Sequence, residues 1–348
     1  MREGDDKTAM LTVSNLRKYF PVKAQTLGGA RAMVQAVDGV SFDIAAGETL
    51  GIVGESGCGK STTARLLMHL IEPDAGEIRF DEQALGMNGF TVRELRRQMQ
   101  MVFQDSYASL NPRLAVQDSI AFGPRAHGAS AESARAKARE LLALVNLDPD
   151  QFSRRYPHEL SGGQRQRVNV ARALALDPRL VILDEAVSAL DKSIEAQVLN
   201  LLMDLKKNLR LTYLFISHDL AVVQYVSDHV LVMYLGKVVE LGPVDDVYHR
   251  PRHPYTQALL ASRPSMDPDI HIERPPLVGD PPNPINPPSG CRFRTRCAFA
   301  ESVCERVEPL LTVQDTGPRH SAACHMVIPG SGHSLAAPAV AIAVGAPH

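Results

Sequence analysis

Apolar positions fall along this chain in two periods that take turns. Short unbroken runs have strand length: Thr49-Leu50-Gly51-Ile52-Val53, Met99-Gln100-Met101-Val102-Phe103, Leu180 to Leu183, Thr212 to Ile216 and His229 to Met233. Met10 to Leu16 and Val34 to Ile44 also read as strands, with Gly28-Gly29 marking a loop between them. Ala45-Ala46-Gly47-Glu48 is a turn before the next strand, and Glu72-Pro73-Asp74-Ala75-Gly76 is a turn into the strand Glu77-Ile78-Arg79-Phe80. From Gln104 to about Glu159 the period becomes helical, clearest over Ser130 to Val145. That block interrupts the strands and reads as an inserted helical subdomain, about residues 105–160. Strands then alternate with helices again, which is the pattern of an α/β parallel sheet.

Beyond about Arg250 the pattern dissolves. Proline is dense from Pro264 to Pro288, so an extended segment that orders on contact is expected there. The division that follows is residues 1–250 as one body and 251–348 as an extension, with a disordered tail from about residue 329. Leu335 to Val344 is apolar but short and interrupted by Pro338, and no run approaches the ~18 apolar residues of a membrane span. The first residues, Met1 to Lys7, have no apolar core and do not read as a secretory signal. A formal net charge of -2 over 348 residues argues against a nucleic-acid surface spread across the chain.

The most informative stretch is Gly54-Glu55-Ser56-Gly57-Cys58-Gly59-Lys60-Ser61-Thr62, between the Thr49–Val53 strand and the helical Ala64-Arg65-Leu66-Leu67-Met68. G-x-x-x-x-G-K-S in a strand–loop–helix context is a phosphate-binding loop. Glycines let successive backbone N–H groups curl inward onto phosphate oxygens, and the helix N-terminus adds its positive dipole end. Lys60 is expected on the β- and γ-phosphates and the Ser61 hydroxyl on Mg²⁺. A chance glycine-rich turn is the competing reading; the flanking strand and helix weigh against it. A second carboxylate site follows. Four apolar residues ending in Asp184 deliver that carboxylate to a strand tip, where a phosphate-bound Mg²⁺ would sit.

Leu160-Ser161-Gly162-Gly163-Gln164, Leu180 to Glu185, Ser188-Ala189-Leu190-Asp191 and His218 follow the loop in that order. Together they resemble the ATP-binding cassette of ABC transporters over about residues 10 to 250. The resemblance implies a P-loop NTPase cassette of α/β class: a RecA-like parallel sheet core, an antiparallel β subdomain and the inserted helical subdomain, here followed by a C-terminal Pro/Cys-rich extension. It implies an ATPase with ATP and Mg²⁺, in which Glu185 is the general base for the attacking water and His218 contacts the γ-phosphate. Gln104 resembles the glutamine that senses Mg²⁺ and water. Phe20, with Tyr19 as the alternative, matches the aromatic set against adenine. The family also implies a head-to-tail pair of ATPase subunits. In that pair Ser161, Gly162, Gly163 and Gln164 of one copy complete the site of the other, with Asp191 at the shared interface. Arg165, Arg167 and Arg172 on the same helix read as a solvated or interdomain face, and no nucleic-acid partner is expected.

Val102 to Arg113, Ala196 to Leu202, His253-Pro254-Tyr255-Thr256 and Pro287-Pro288-Ser289-Gly290-Cys291 are similar to segments of dipeptide and oligopeptide importer ATPases. This extends the resemblance to about residue 328. It implies ATP-driven peptide import, with two transmembrane permease subunits as partners and an extracytoplasmic solute-binding protein reached through them. The place implied is the cytoplasmic face of the cell membrane. Nickel and glutathione importers share this branch, so those cargoes stay open, as does a soluble ABC ATPase without a transport role. Five cysteines in a chain read without an export signal point away from disulfides. Cys58 lies in the loop; Cys291, Cys297, Cys304 and Cys324 cluster near the end without a C-x-x-C pair. Some members of the branch carry a [4Fe–4S] cluster on four such cysteines. Zinc, with His325 as a further ligand, and metal-free thiols are the other readings.

Overall fold

The computed structural model describes residues 9–22, 32–87, 89–262, 279–280, 282–313 and 320–338. The expected Gly28-Gly29 loop and most of the proline-dense segment lie outside these residues. The chain divides into two compact units, Met1–Leu16, Ser41–Ile52 and Ser61–Asp228 in the first, and Arg17–Val40, Val53–Lys60 and His229–His348 in the second. It passes between them within β1 (Ala9–Pro21), β2 (Met33–Ala45), β3 (Thr49–Val53) and α1 (Lys60–Leu67).

In the first unit, β4 (Ala75–Phe80) and β5 (Gln83–Ala84) form an antiparallel pair, followed by α2 (Val92–Gln98) and β6 (Met99–Val102). The helical block holds α3 (Val116–Ala126), α4 (Ala131–Leu144) and the short α5 (Pro149–Phe152). Then come α6 (Gly162–Leu174), β7 (Leu180–Asp184), α7 (Lys192–Leu209), β8 (Thr212–Ile216) and α8 (Leu220–Val226). The strands run parallel in the order β6-β7-β8-β3. Every residue of β3, β7 and β8 is buried, which is why they are apolar except at their ends (Thr49, Thr212 and Asp184) and show no alternation. Their register sets Asp184 beside Ile216 and Ile52 beside the same residue, so the strands end together at one edge. On α4 the buried positions are Ala134, Ala138, Leu141 and Leu142, one helical face, and the Ser130 hydroxyl caps the start by accepting from the Ser133 N–H at 3.1 Å. That face packs on α3 and α6.

In the second unit, β9 (His229–Tyr234) and β10 (Lys237–Pro243) form a hairpin whose two loop residues, Leu235 and Gly236, both have positive φ (44° and 79°). After α9 (Val244–His249), α10 (Pro254–Ala261) and α11 (Ser302–Arg306), β11 (Thr312–Val313) and β12 (Ser321–Ala322) complete an antiparallel order β9-β10-β12-β11. The sequence pattern does not announce β10, because Glu240 stands at its centre. In the fold Glu240 is fully buried: Oε1 accepts from the Arg252 N–H at 2.7 Å and lies 2.7 Å from His320 Nε2, while Oε2 accepts from the His253 N–H at 2.9 Å. The carboxylate thus ties two distant segments of the extension to one strand. Leaving those donors without it would cost on the order of 1–3 kcal/mol each.

The extension is folded further than its composition promised. Residues 329–338, expected in a disordered tail, are described: His333 is buried with Nε2 2.8 Å from the Phe299 carbonyl, and Ser331 donates to the His325 carbonyl at 2.6 Å. Local hydrogen bonds replace the apolar signal that the segment lacks. β1 likewise runs past Leu16 to Pro21, through Arg17 and Lys18, where periodicity has no voice.

His253 caps α10, its Nδ1 accepting from the Tyr255 N–H at 3.0 Å. Burial pushes its pKa down from 6.5 to about 4, against the opposing pull of Glu240. Protonation therefore favours the unfolded chain. The neutral ring's contribution, on the order of 3 kcal/mol, is present above about pH 6.5 and drains away as pH falls toward 4. His253→Asn keeps an acceptor for the cap and removes the titration. We expect it to flatten the decline of Tm over that window, measured by thermal denaturation at stepped pH.

Candidate functional site

The phosphate loop, up to Lys60, lies in the second unit. Gly54 and Gly59 hold φ of 151° and 110°, and a Cβ on either would fall 2.2 Å from the Met233 carbonyl oxygen or 2.3 Å from that of Ala36. The loop therefore presses backbone to backbone against its neighbours, with Ser56 and Gly57 exposed at its tip. Lys60 is folded back into the curl: only 5% exposed, its Nζ donates to the carbonyls of Gly54 at 2.7 Å and Glu55 at 3.0 Å. Cys58 is buried beneath; burial and the Glu55 charge raise its thiol pKa against the influence of Lys60, so it stays protonated and chemically quiet. The Glu55 N–H donates to the Tyr255 hydroxyl at 2.9 Å. Of the two candidate aromatics, Tyr19 turns its hydroxyl to Asp38 at 2.6 Å, and burial with that bond pushes its pKa up to about 12. Phe20 keeps its ring exposed, with Lys18 Nζ 5.7 Å from the centroid.

The first unit holds a carboxylate cluster of its own. Ser61, the residue after Lys60 on α1, donates its hydroxyl to Asp184 Oδ1 at 2.9 Å, and Asp184 is buried at the end of β7. Glu185 follows with φ of 48°, a left-handed conformation that costs a non-glycine residue about 1–2 kcal/mol. Its N–H is anchored on the Ile216 carbonyl at 2.9 Å. Gln104 donates to Glu185 Oε2 at 2.8 Å, and His218 Nδ1 lies 3.5 Å from the same oxygen. Gln104, the adjacent Asp184 and Glu185, and His218, from three separate parts of the sequence, are thus gathered at the sheet edge. Ser61 and Asp184 offer hard oxygen donors of the kind Mg²⁺ prefers.

The Ser161–Gln164 segment is a helix cap. The Ser161 hydroxyl accepts from the Gln164 N–H at 3.3 Å while Gln164 Oε1 accepts from the Ser161 N–H at 2.9 Å. Gly163 is required sterically, since a Cβ would sit 2.5 Å from Ile194 on α7; Gly162 has room. Asp191 caps α7 through its backbone and is exposed. Arg165, Arg167 and Arg172 are not a free solvated face. They donate to the Leu160 carbonyl at 2.6 Å, to Gln197 at 3.1 Å and to the Ser109 carbonyl, bracing the helical block.

Cys291, Cys297, Cys304 and Cys324 line a single cavity in the second unit, together with His253, His325 and His333. Burial raises the thiol pKa of Cys291 to about 11, that of Cys324 to about 12 and that of Cys297 as well, and charge on neighbouring thiols adds to the effect. Among the described residues, no three His, Cys, Asp or Glu side chains are placed around one metal ion. His325 Nε2 is engaged with the Val307 carbonyl at 2.9 Å. Nothing in the sequence marks the other charged group nearby. Arg292 donates to Asp38, Gln35 and the Leu235 carbonyl, and Lys237 lies 3.0 Å from Asp38. Burial alone would raise the Asp38 pKa; hydrogen bonds from Tyr19 and Lys237 and the charges of Lys237 and Arg292 leave it lowered.

Residues 37–188 match the family described as ABC transporter, and residues 239–304 match the oligopeptide/dipeptide transporter C-terminal region. The chain is 48% identical over 326 residues to the oligopeptide transport ATP-binding protein AppF of Bacillus subtilis, covering 92% of this chain and 98% of AppF. It is 46% identical over 332 residues to OppF of Salmonella typhimurium, covering 93% and 98%. Among solved structures it is similar to cbiO1 of Clostridium perfringens, part of the ABC transporter complex cbiONQ (TM-score 0.59, 27% identity, 70% of this chain and 91% of that one). It is also similar to the cassette MJ0796, solved as a dimer bound to ADP and Pi (TM-score 0.57, 28% identity, 68% and 99%).

The loop's path makes a sharp demand. Gly59→Ala meets both an unfavourable φ and the Ala36 carbonyl, whereas a Cβ at Gly57 meets nothing within 4 Å. Equilibrium dialysis with labelled ATP is expected to show binding weakened at least ~tenfold for Gly59→Ala and clearly less for Gly57→Ala.

Proposed function

This chain belongs to the ABC transporter family, as an ATP-hydrolysing subunit of its oligopeptide branch, and we propose that it powers peptide uptake across the cell membrane. The observation that carries the catalytic reading is the grip on Glu185. A left-handed backbone, the Gln104 amide and His218 together aim one carboxylate oxygen, which is what a base orienting an attacking water needs. Lys60, already desolvated among carbonyls, and backbone N–H groups at the loop's tip and the start of α1 bind the triphosphate; Phe20 stacks on adenine. Ser61 and Asp184 would hold Mg²⁺, which supplies charge neutralisation on the phosphates when bound.

The Ser161–Gln164 cap supports a role in trans. It is a helix N-terminus whose own capping bonds leave further N–H groups for an anion. We assign it, with Asp191, to the nucleotide of a second ATPase subunit in a head-to-tail dimer. Residues 1–250 act as the cassette and 251–348 as the importer-type extension. Two permeases in the membrane and, through them, an extracytoplasmic binding protein are the further partners; no helix among the described residues is long and apolar enough to cross a membrane. The names of the relatives and the extension favour peptide cargo over nickel or glutathione.

Four soft thiols lining one cavity match the donor chemistry of a [4Fe–4S] cluster, and we assign one to Cys291, Cys297, Cys304 and Cys324. A bound cluster would cross-link an extension that has little apolar core.

Two measurements test these readings. Glu185→Gln is expected to bind ATP and lose at least ~100-fold in turnover, and a rate near wild type would remove Glu185 from the chemistry. Anaerobically purified protein is expected to be brown, to absorb near ~400 nm, and to hold close to four irons per chain, with Cys297→Ser bleaching the colour. Zinc at one equivalent, or no metal, would overturn the cluster.

A further inference from the structure

Glu55 is held at three points. Its N–H donates to Tyr255, its carbonyl accepts from Lys60, and its carboxylate is clasped by Arg296 through two parallel bonds, Nη1 to Oε2 at 2.7 Å and Nη2 to Oε1 at 3.1 Å. Arg296 is only 5% exposed and Glu55 24%, so this pair is largely out of water. The Tyr234 hydroxyl is 3.5 Å from the same guanidinium, and the Tyr234 ring lies beneath it, 5.9 Å from ring centroid to guanidinium carbon. Tyr234, Tyr255 and Phe293 pack together at centroid distances of 4.6 to 5.4 Å, which fixes the arginine's platform.

The placement matters because of what the loop binds. A carboxylate one residue past the first glycine of a phosphate-binding loop repels a polyanion. It can be tolerated there only if its charge is cancelled and its side chain kept from swinging into the loop's mouth. A bidentate guanidinium does both, where an ammonium would supply charge without the fork. We propose that Arg296, contributed by the C-terminal extension, is a positioning residue for ATP binding: it pins and neutralises Glu55, and so sets the affinity of the phosphate loop. Tyr255 assists by occupying the Glu55 N–H. The extension thereby becomes part of the nucleotide machinery and not merely an appendage to it.

The inference rests on ATP binding at this loop; were that wrong, the wild-type chain would show no saturable ATP dependence at all. With the full-length protein, KM for ATP and kcat are measured for wild type, Arg296→Ala, Arg296→Lys, Glu55→Gln and the double variant. Arg296→Ala exposes the carboxylate to the phosphates and is expected to raise KM about five- to tenfold with kcat within ~twofold, because binding common to ground and transition states is lost. The rise should shrink at high salt. Arg296→Lys, which restores the charge without the fork, should recover part of it. In the Glu55→Gln background, Arg296→Ala should change KM less than ~twofold, since no charge remains to cancel. Arg296→Gln is read in parallel, keeping bulk at the site if alanine does not fold. An unchanged KM in both neutral variants would overturn the proposal. So would a KM rise of equal size with and without the Glu55 carboxylate, which would make Arg296 a packing residue only.

Discussion

The chemistry of this chain depends on the path of six residues, Gly54 to Gly59. A phosphate site needs backbone N–H groups converging on one point, and an L-residue's Cβ would collide with the Met233 or Ala36 carbonyl along that path. The same curl turns carbonyls of Gly54 and Glu55 toward Lys60, so that a buried ammonium is satisfied before any nucleotide arrives. Tyr255 and Arg296 then fix Glu55 from outside the loop. The loop is pre-organised, and ligand binding need not order it.

A different device serves the carboxylate edge. The parallel strands β6, β7 and β8 bring Gln104, Asp184 with Glu185, and His218 to one line, and the price of aiming Glu185 is a left-handed backbone at that residue. The strain persists because the Ile216 carbonyl and the Ser188 hydroxyl fix the peptide on either side. The extension, by contrast, is held by buried polar groups: Glu240 with His320 and two backbone donors, and Arg292 with Asp38. Such contacts add little net stability compared with apolar packing, but breaking one partner is expensive, which makes them specific.

Much of this was legible in the chain. Unbroken apolar runs marked β3, β6, β7, β8 and β9 to within a residue or two, because fully buried strands leave no polar face to confuse the pattern. The phosphate loop, Asp184, Glu185 and the Ser161–Gln164 cap were readable because each is local: a strand, a turn and a helix start within ten residues. What sequence could not show was everything set by long-range pairing. Glu240, a charged residue, is the buried centre of a strand. The arginines of α6 read as a solvated or interdomain face, and their bonds to Leu160 and Ser109 carbonyls brace the helical block. The sequence already put Phe20 ahead of Tyr19; the bond from the Tyr19 hydroxyl to Asp38 shows only in the fold. Arg296 carries no signal at all, being separated from Glu55 by 241 residues. Local chemistry is written in adjacent side chains, whereas the partner of a buried charge is chosen by which distant surfaces the folded chain brings together.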